Sequence, residues 1–109
     1  RPAHCSFIVP AVVERGDLVI ATSTGGASPM LARRIREDLE ARFGPEYAEG
    51  LRLLRALRQR LKREGRAFEE RKRVFVALID SDLLARLRRG DRAGVDRLLA
   101  EIAGSGYTV

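Results

Sequence analysis

Only two short segments of this chain have the residue signature of strands, and two strands cannot hold together alone in water. Residues 6–13, Ser6-Phe7-Ile8-Val9-Pro10-Ala11-Val12-Val13, are rich in β-branched and aromatic side chains. After Glu14-Arg15-Gly16-Asp17 the same signature returns in Leu18-Val19-Ile20-Ala21-Thr22. This spacing predicts an antiparallel hairpin with its turn over 14–17. Pro10 cannot donate to a ladder, so the first strand is expected at an edge or with a bulge there. Everything after Thr22 reads as loop or helix, so the hairpin must pack on helices. The predicted fold class is α+β: a short N-terminal β-hairpin followed by about five helices, mostly a helical dimerisation domain.

The helices are marked by their punctuation. Ser28-Pro29 pairs a good N-cap with the residue best tolerated at the first helical position, and Leu31, Ile35, Leu39 and Phe43 follow at intervals of four. Gly44-Pro45 separates that helix from a second, in which Tyr47, Leu51, Leu54, Leu57 or Arg58, and Leu61 form an apolar seam calling for a long partner. Gly65 closes it. Phe68, Phe75, Leu78 and Ile79 mark a third helix. Asp80-Ser81-Asp82 and Gly90-Asp91 punctuate two shorter ones, carrying Leu83, Leu84 and Leu87, then Val95, Leu98, Leu99 and Ile102. The tail from Gly104 has no periodic support. The chain thus divides into 1–28, hairpin and anion-binding loop; 29–103, helical dimerisation and substrate-binding region; and 104–109, tail.

At 109 residues, a chain buries roughly two-thirds of its unfolded surface and needs neither disulfide nor metal to fold. Cys5 is the single cysteine and His4 the single histidine, so a metal site of His and Cys lacks ligands; both read as structural. No apolar run reaches the ~20 residues needed to cross a bilayer, and no signal-peptide stretch opens the chain; a cytoplasmic protein with no membrane contact is expected. The net charge is +6, nearly all of it arginine, with Lys62 and Lys72 the only lysines. That excess suits an anionic partner: nucleic acid, a membrane surface or a small polyanion.

One loop can carry chemistry. Ala21-Thr22-Ser23-Thr24-Gly25-Gly26-Ala27-Ser28-Pro29 is a run of hydroxyls and glycines that ends on a helix N-terminus. There the first amides lack intrahelical partners, the helix dipole is positive, and glycine lets a ligand approach the backbone. A carboxylate gains about 0.3–1 kcal/mol from the dipole alone, and Arg33, Arg34 and Arg36 can add charge. The loop lacks the Gly-Lys-Ser/Thr ending of a P-loop and is not the Gly-x-Gly-x-x-Gly of a dinucleotide fold. A tight strand-to-helix turn, needing Gly for φ and Ser for capping, explains the same residues without a ligand.

The run from Cys5 through Ala11, the run from Gly16 through Pro29, and Leu31-Ala32-Arg33 with Ile35-Arg36 together resemble the siroheme synthase family. The resemblance is close over residues 1–43 and looser to about 103. Its members are NAD-dependent precorrin-2 dehydrogenases, and some are also sirohydrochlorin ferrochelatases that use ferrous iron as substrate. The resemblance implies a homodimer whose C-terminal part, this chain, binds the tetrapyrrole. NAD and the proposed acid/base aspartate would belong to a Rossmann domain preceding Arg1, so these 109 residues by themselves are expected to be inactive. Carried over by position, Ser23, Thr24, Gly25, Gly26 and Ser28 border precorrin-2 or sirohydrochlorin. Thr24 stands where the family usually has a second serine, keeping the hydroxyl and adding a methyl. No catalytic or cofactor-binding residue falls within the chain. The alternative is a basic helical dimerisation or nucleic-acid-binding module without catalytic role, gripping phosphates through Arg52, Arg55, Arg58, Arg60 and Arg63. Nucleic acid is disfavoured, because that helix lacks interleaved base-reading or stacking side chains.

Overall fold

The computed structural model describes residues 9–104, 106 and 107. His4, Cys5 and the start of the predicted first strand lie outside the described residues. Strands β1 (Ala11–Arg15) and β2 (Leu18–Thr22) pair antiparallel, with Val13 opposite Ile20 and Arg15 opposite Leu18. The predicted turn over 14–17 contracts to Gly16 and Asp17, since Glu14 and Arg15 are paired within the ladder. Gly16 has φ 63°, as a two-residue hairpin turn demands, and a Cβ there would stand 3.0 Å from the Cβ of Ala48. Pro10 causes no bulge because β1 begins immediately after it.

Five helices follow: α1 (Pro29–Arg42), α2 (Glu46–Arg63), α3 (Phe68–Ile79), α4 (Leu83–Arg88) and α5 (Arg92–Ile102). Ser28 caps α1 by accepting the Leu31 amide at 3.1 Å, and Asp91 caps α5 by accepting the Gly94 amide at 2.9 Å. At the other end of α1, the Arg15 side chain donates to the open carbonyls of Phe43 (2.7 Å) and Glu40 (3.3 Å). This cation on a helix C-terminus ties the hairpin to α1.

The core lies among α2–α5, where Leu53, Leu57, Leu61, Val74, Leu78, Val95 and Leu99 are buried together. The predicted α2 seam holds at Leu57 and Leu61 and is out of phase over the first turns of the helix. The buried stripe is Glu46, Gly50, Leu53, Leu57 and Leu61, whereas Tyr47, Leu51 and Leu54 are only half-buried. One residue turns a helix by about 100°, so 50/53/57 and 51/54/58 are adjacent stripes that apolar spacing alone does not separate. The long partner is supplied by the chain's own α3–α5. Of the apolar residues that mark α3 in the sequence, Leu78 is buried, whereas Phe68 and Ile79 are exposed. Tyr107, in the tail without periodicity, is buried in this core.

The hairpin and α1 contribute only Val13 and Ala32 to the buried apolar set, and they leave Val12, Val19, Met30, Leu31 and Ile35 open. The Cα radius of gyration is 18.4 Å, well above the about 13 Å of a compact chain of this length. No helix among the described residues is long and apolar enough to cross a membrane.

Candidate anion-binding site at the strand-to-helix loop

Between β2 and α1 the backbone turns through Gly25 (φ 66°) and Gly26 (φ 84°), closed by the Ala27 amide donating to the Thr24 carbonyl at 3.1 Å. Two consecutive left-handed residues are what a type I′ turn requires, and only glycine takes them without strain. No side chain crowds Gly25, so its role is conformational.

The hydroxyls divide by what they already bind. Thr24 Oγ1 donates to the Ser28 carbonyl and accepts the Ser28 amide, both at 3.0 Å, so its one proton is committed to shaping the loop. Ser23 Oγ accepts the Gly25 amide at 3.1 Å, and Ser28 Oγ serves as the α1 cap. Both serines use a lone pair and keep their protons for another acceptor.

A cavity of 280 Å³ opens beside this loop. Ser23, Thr24 and Gly26 line it from the loop, Thr22 from the end of β2, and Arg33 and Arg36 from α1. Of the five residues predicted from the sequence, Gly25 and Ser28 shape the turn and cap the helix without lining the cavity. Arg34 does not line it either. Thr22, part of the hydroxyl run in the sequence but not one of those five residues, also lines the cavity, and the alternation that places Leu18, Ile20 and Thr22 on one face of β2 was the signal available for it.

The electrostatics of the cavity are one-sided. The first turn of α1 has no acidic residue to offset its dipole. The Met30 amide has no acceptor among the described residues. Arg36 Nε is buried without a hydrogen-bond partner, and Arg33 meets only an exposed Glu37 at 3.6 Å. The Ser23 hydroxyl and two guanidinium groups thus line one hollow at the N-terminal end of α1, suited to carboxylate or phosphate oxygens.

Residues 15–42, from the end of β1 through α1, match the family model described as "Sirohaem biosynthesis protein central". The chain is 35% identical over 108 residues to siroheme synthase 2 of Yersinia pseudotuberculosis, covering 98% of this chain and 23% of that protein. It is 37% identical over 98 residues to siroheme synthase 3 of Aeromonas hydrophila, covering 89% and 21%. Among solved structures it resembles SirC, a precorrin-2 dehydrogenase, with a TM-score of 0.68 and 28% identity over 90% of this chain and 47% of that one. The chain spans less than a quarter of the siroheme synthases it matches and about half of the dehydrogenase. The chain is thus similar to the siroheme synthase family, and the hydroxyl–glycine loop lies within the residues 15–42 that match the family model.

Proposed function

We propose that this chain is the tetrapyrrole-binding and self-associating part of a siroheme-biosynthesis enzyme of the precorrin-2 dehydrogenase kind. The observation that carries the reading is the cavity at the loop, lined by Ser23, Arg33 and Arg36, where Arg36 Nε lacks a hydrogen-bond partner among the described residues. At 280 Å³ the hollow is small for a macrocycle but roomy enough for its acidic arms. In this reading the ring lies across the exposed Gly25-Gly26 turn while one or two carboxylates enter between Ser23 and Arg36. Thr24 acts as a positioning residue that holds Ser28 and the turn in place.

NAD finds no fit among these residues. The loop has adjacent rather than spaced glycines, and no acidic side chain stands in the cavity to take ribose hydroxyls. Hydride acceptance therefore depends on groups outside the chain, and no redox step is assigned to it. Ferrous iron, for relatives that insert it, is a substrate; no three His, Cys, Asp or Glu side chains among the described residues converge to hold it.

The test uses the full-length protein and Arg36→Gln. Loss of one partly buried charge-assisted contact is expected to weaken sirohydrochlorin binding about tenfold, while NAD affinity changes less than about twofold. Equal losses for both ligands, or unchanged tetrapyrrole affinity, would overturn the assignment.

The self-associating role rests on the open apolar faces of the hairpin and α1 and on the elongated shape. A second copy placed there would cover Val12, Val19, Leu31 and Ile35, which the described residues of one chain leave open. Light scattering at micromolar concentration is expected to give twice the chain mass, falling to the monomer mass in Val19→Glu/Leu31→Glu. A monomeric wild type removes this part of the proposal.

A further inference from the structure

At the opposite end of α1, about 18 Å along the helix from the hydroxyl–glycine loop at 1.5 Å per residue, a second cavity of 380 Å³ opens between the end of α1, the start of α2 and α4. Its walls carry three carboxylates, Glu40, Glu46 and Glu49, and a single cation, Arg88. Acidic side chains gathered in a hollow prove little by themselves, but Glu46 is different from the other two. It is 8% exposed, the one buried charged residue among those described, and it makes no hydrogen bond or ion pair with any described residue.

The surroundings of Glu46 account for its lack of a partner. The first amides of α2 are spent elsewhere: Tyr47 donates to the Gly44 carbonyl, and Ala48 and Glu49 donate to Pro45. The carboxylate instead rests over the bare backbone of Gly44, where a Cβ would overlap it. Arg88 is exposed and forms no ion pair among the described residues. The neighbouring Arg15 donates through Nε, Nη1 and Nη2 to carbonyls at 14, 40 and 43. The mostly buried Glu46 side chain thus offers its carboxylate oxygens only to what enters the cavity, and a cation or hydrogen-bond donor from outside meets them there without displacing an internal partner.

We propose that this cavity receives a guanidinium or alkylammonium group from outside the chain, with Glu46 as its buried acceptor and Glu40 and Glu49 as the charged rim. No set of three His, Cys, Asp or Glu side chains among the described residues converges closely enough to hold a metal ion, which favours a hydrogen-bonded organic cation. The same chemistry is available from two sources. One is a basic side chain of a second copy, since the chain carries 21 Lys and Arg residues; the other is a small free amine or guanidine. The proposal is independent of the tetrapyrrole reading, because a different cavity and different residues carry it.

The experiment titrates the full-length protein with methylguanidinium chloride against sodium chloride at constant ionic strength, followed by calorimetry or NMR. Saturable binding is expected, weakened about tenfold or more by Glu46→Gln and a few-fold by Glu49→Gln, with circular dichroism confirming the fold of each variant. The second variant keeps the test decisive if Glu46→Gln fails to fold. Arg88→Gln, which removes the one cation from the cavity wall, is expected to tighten the binding. No saturable binding, equal binding in wild type and both glutamate variants, or binding seen only after Arg88 is removed would overturn the proposal. Light scattering at saturating probe separates the sources: a fall in mass assigns the cation to a second copy, and an unchanged mass assigns it to a free amine, the site standing in either case.

Discussion

Leu78→Ala is expected to remove about 3 kcal/mol of folding stability, within the about 2–5 kcal/mol range for deleting a buried leucine side chain. Leu78 is fully buried in α3, inside the cluster formed with Leu53, Leu61, Val95 and Leu99. Truncation leaves a void that rigid helices on several sides cannot close. A chain of this size has a total stability on the order of 5–15 kcal/mol, so the variant forfeits a large share of it and melts roughly 10–20 °C lower. Chemical denaturation followed by circular dichroism measures the loss. The neighbouring residue is the control: Ile79 is 66% exposed, and Ile79→Ala should stay within about 0.5 kcal/mol. Equal losses at both positions would mean that the buried face of α3 has been misassigned.

The second large effect lies in the segment that shows no helical periodicity. Tyr107 packs into the core, and its hydroxyl donates to the Glu64 carboxylate and accepts from Arg66 Nη1 at 3.2 Å. Arg60 stacks its guanidinium 4.3 Å from the ring centroid and donates to the Gly106 carbonyl at 3.0 Å. These contacts fasten the end of the chain to the end of α2. Tyr107→Ala should cost about 3 kcal/mol, chiefly through lost aromatic packing. Tyr107→Phe keeps the ring and should cost about 1 kcal/mol.

The pH dependence of that difference gives a second readout. The Tyr107 hydroxyl, followed by Arg60 and Arg66, holds the Glu64 carboxyl below its ordinary value. Its bond to Glu64, together with burial, pushes the Tyr107 phenol above its own. The depressed carboxyl contributes stability that is present above the ordinary carboxylate pKa and lost as pH falls through the folded value. The raised phenol contributes stability that is present below the ordinary phenol pKa and lost as pH rises through the folded value. The gap between wild type and Tyr107→Phe should therefore be constant between about pH 5 and pH 9 and shrink on both sides. A gap that does not change with pH would show that the hydroxyl and Glu64 are not coupled.

The candidate site was legible in outline. Hydroxyls and paired glycines ahead of Ser28-Pro29 announce a tight turn onto a helix N-terminus, since positive φ and capping are satisfied within a few residues. Which hydroxyl is free was not legible, because the Thr24 proton is taken by a carbonyl four residues on, and only the closed turn brings them together. Arg36 reads in the sequence as one of three similar arginines. Its separation from Arg34 comes from the face of α1 that meets the end of β2. Glu46 gave no sign of burial, because a glutamate in the first turn of a helix is ordinarily solvated.

By itself the sequence determined the number and order of elements, the Ser28 and Asp91 caps, the glycine breaks at Gly65 and Gly90, and the family that the loop resembles. Each of these depends on residues close together in the chain, through local hydrogen bonds and allowed φ. The tertiary structure alone decided which stripe of α2 is buried, that the hairpin and α1 stand outside the core, that Tyr107 closes it, and that Glu46 is left facing a hollow. Those outcomes depend on contacts between residues tens of positions apart. A turn of one helix by a single residue exchanges one apolar face for another of nearly equal hydrophobicity, so only packing against α3, α4 and α5 selects between them.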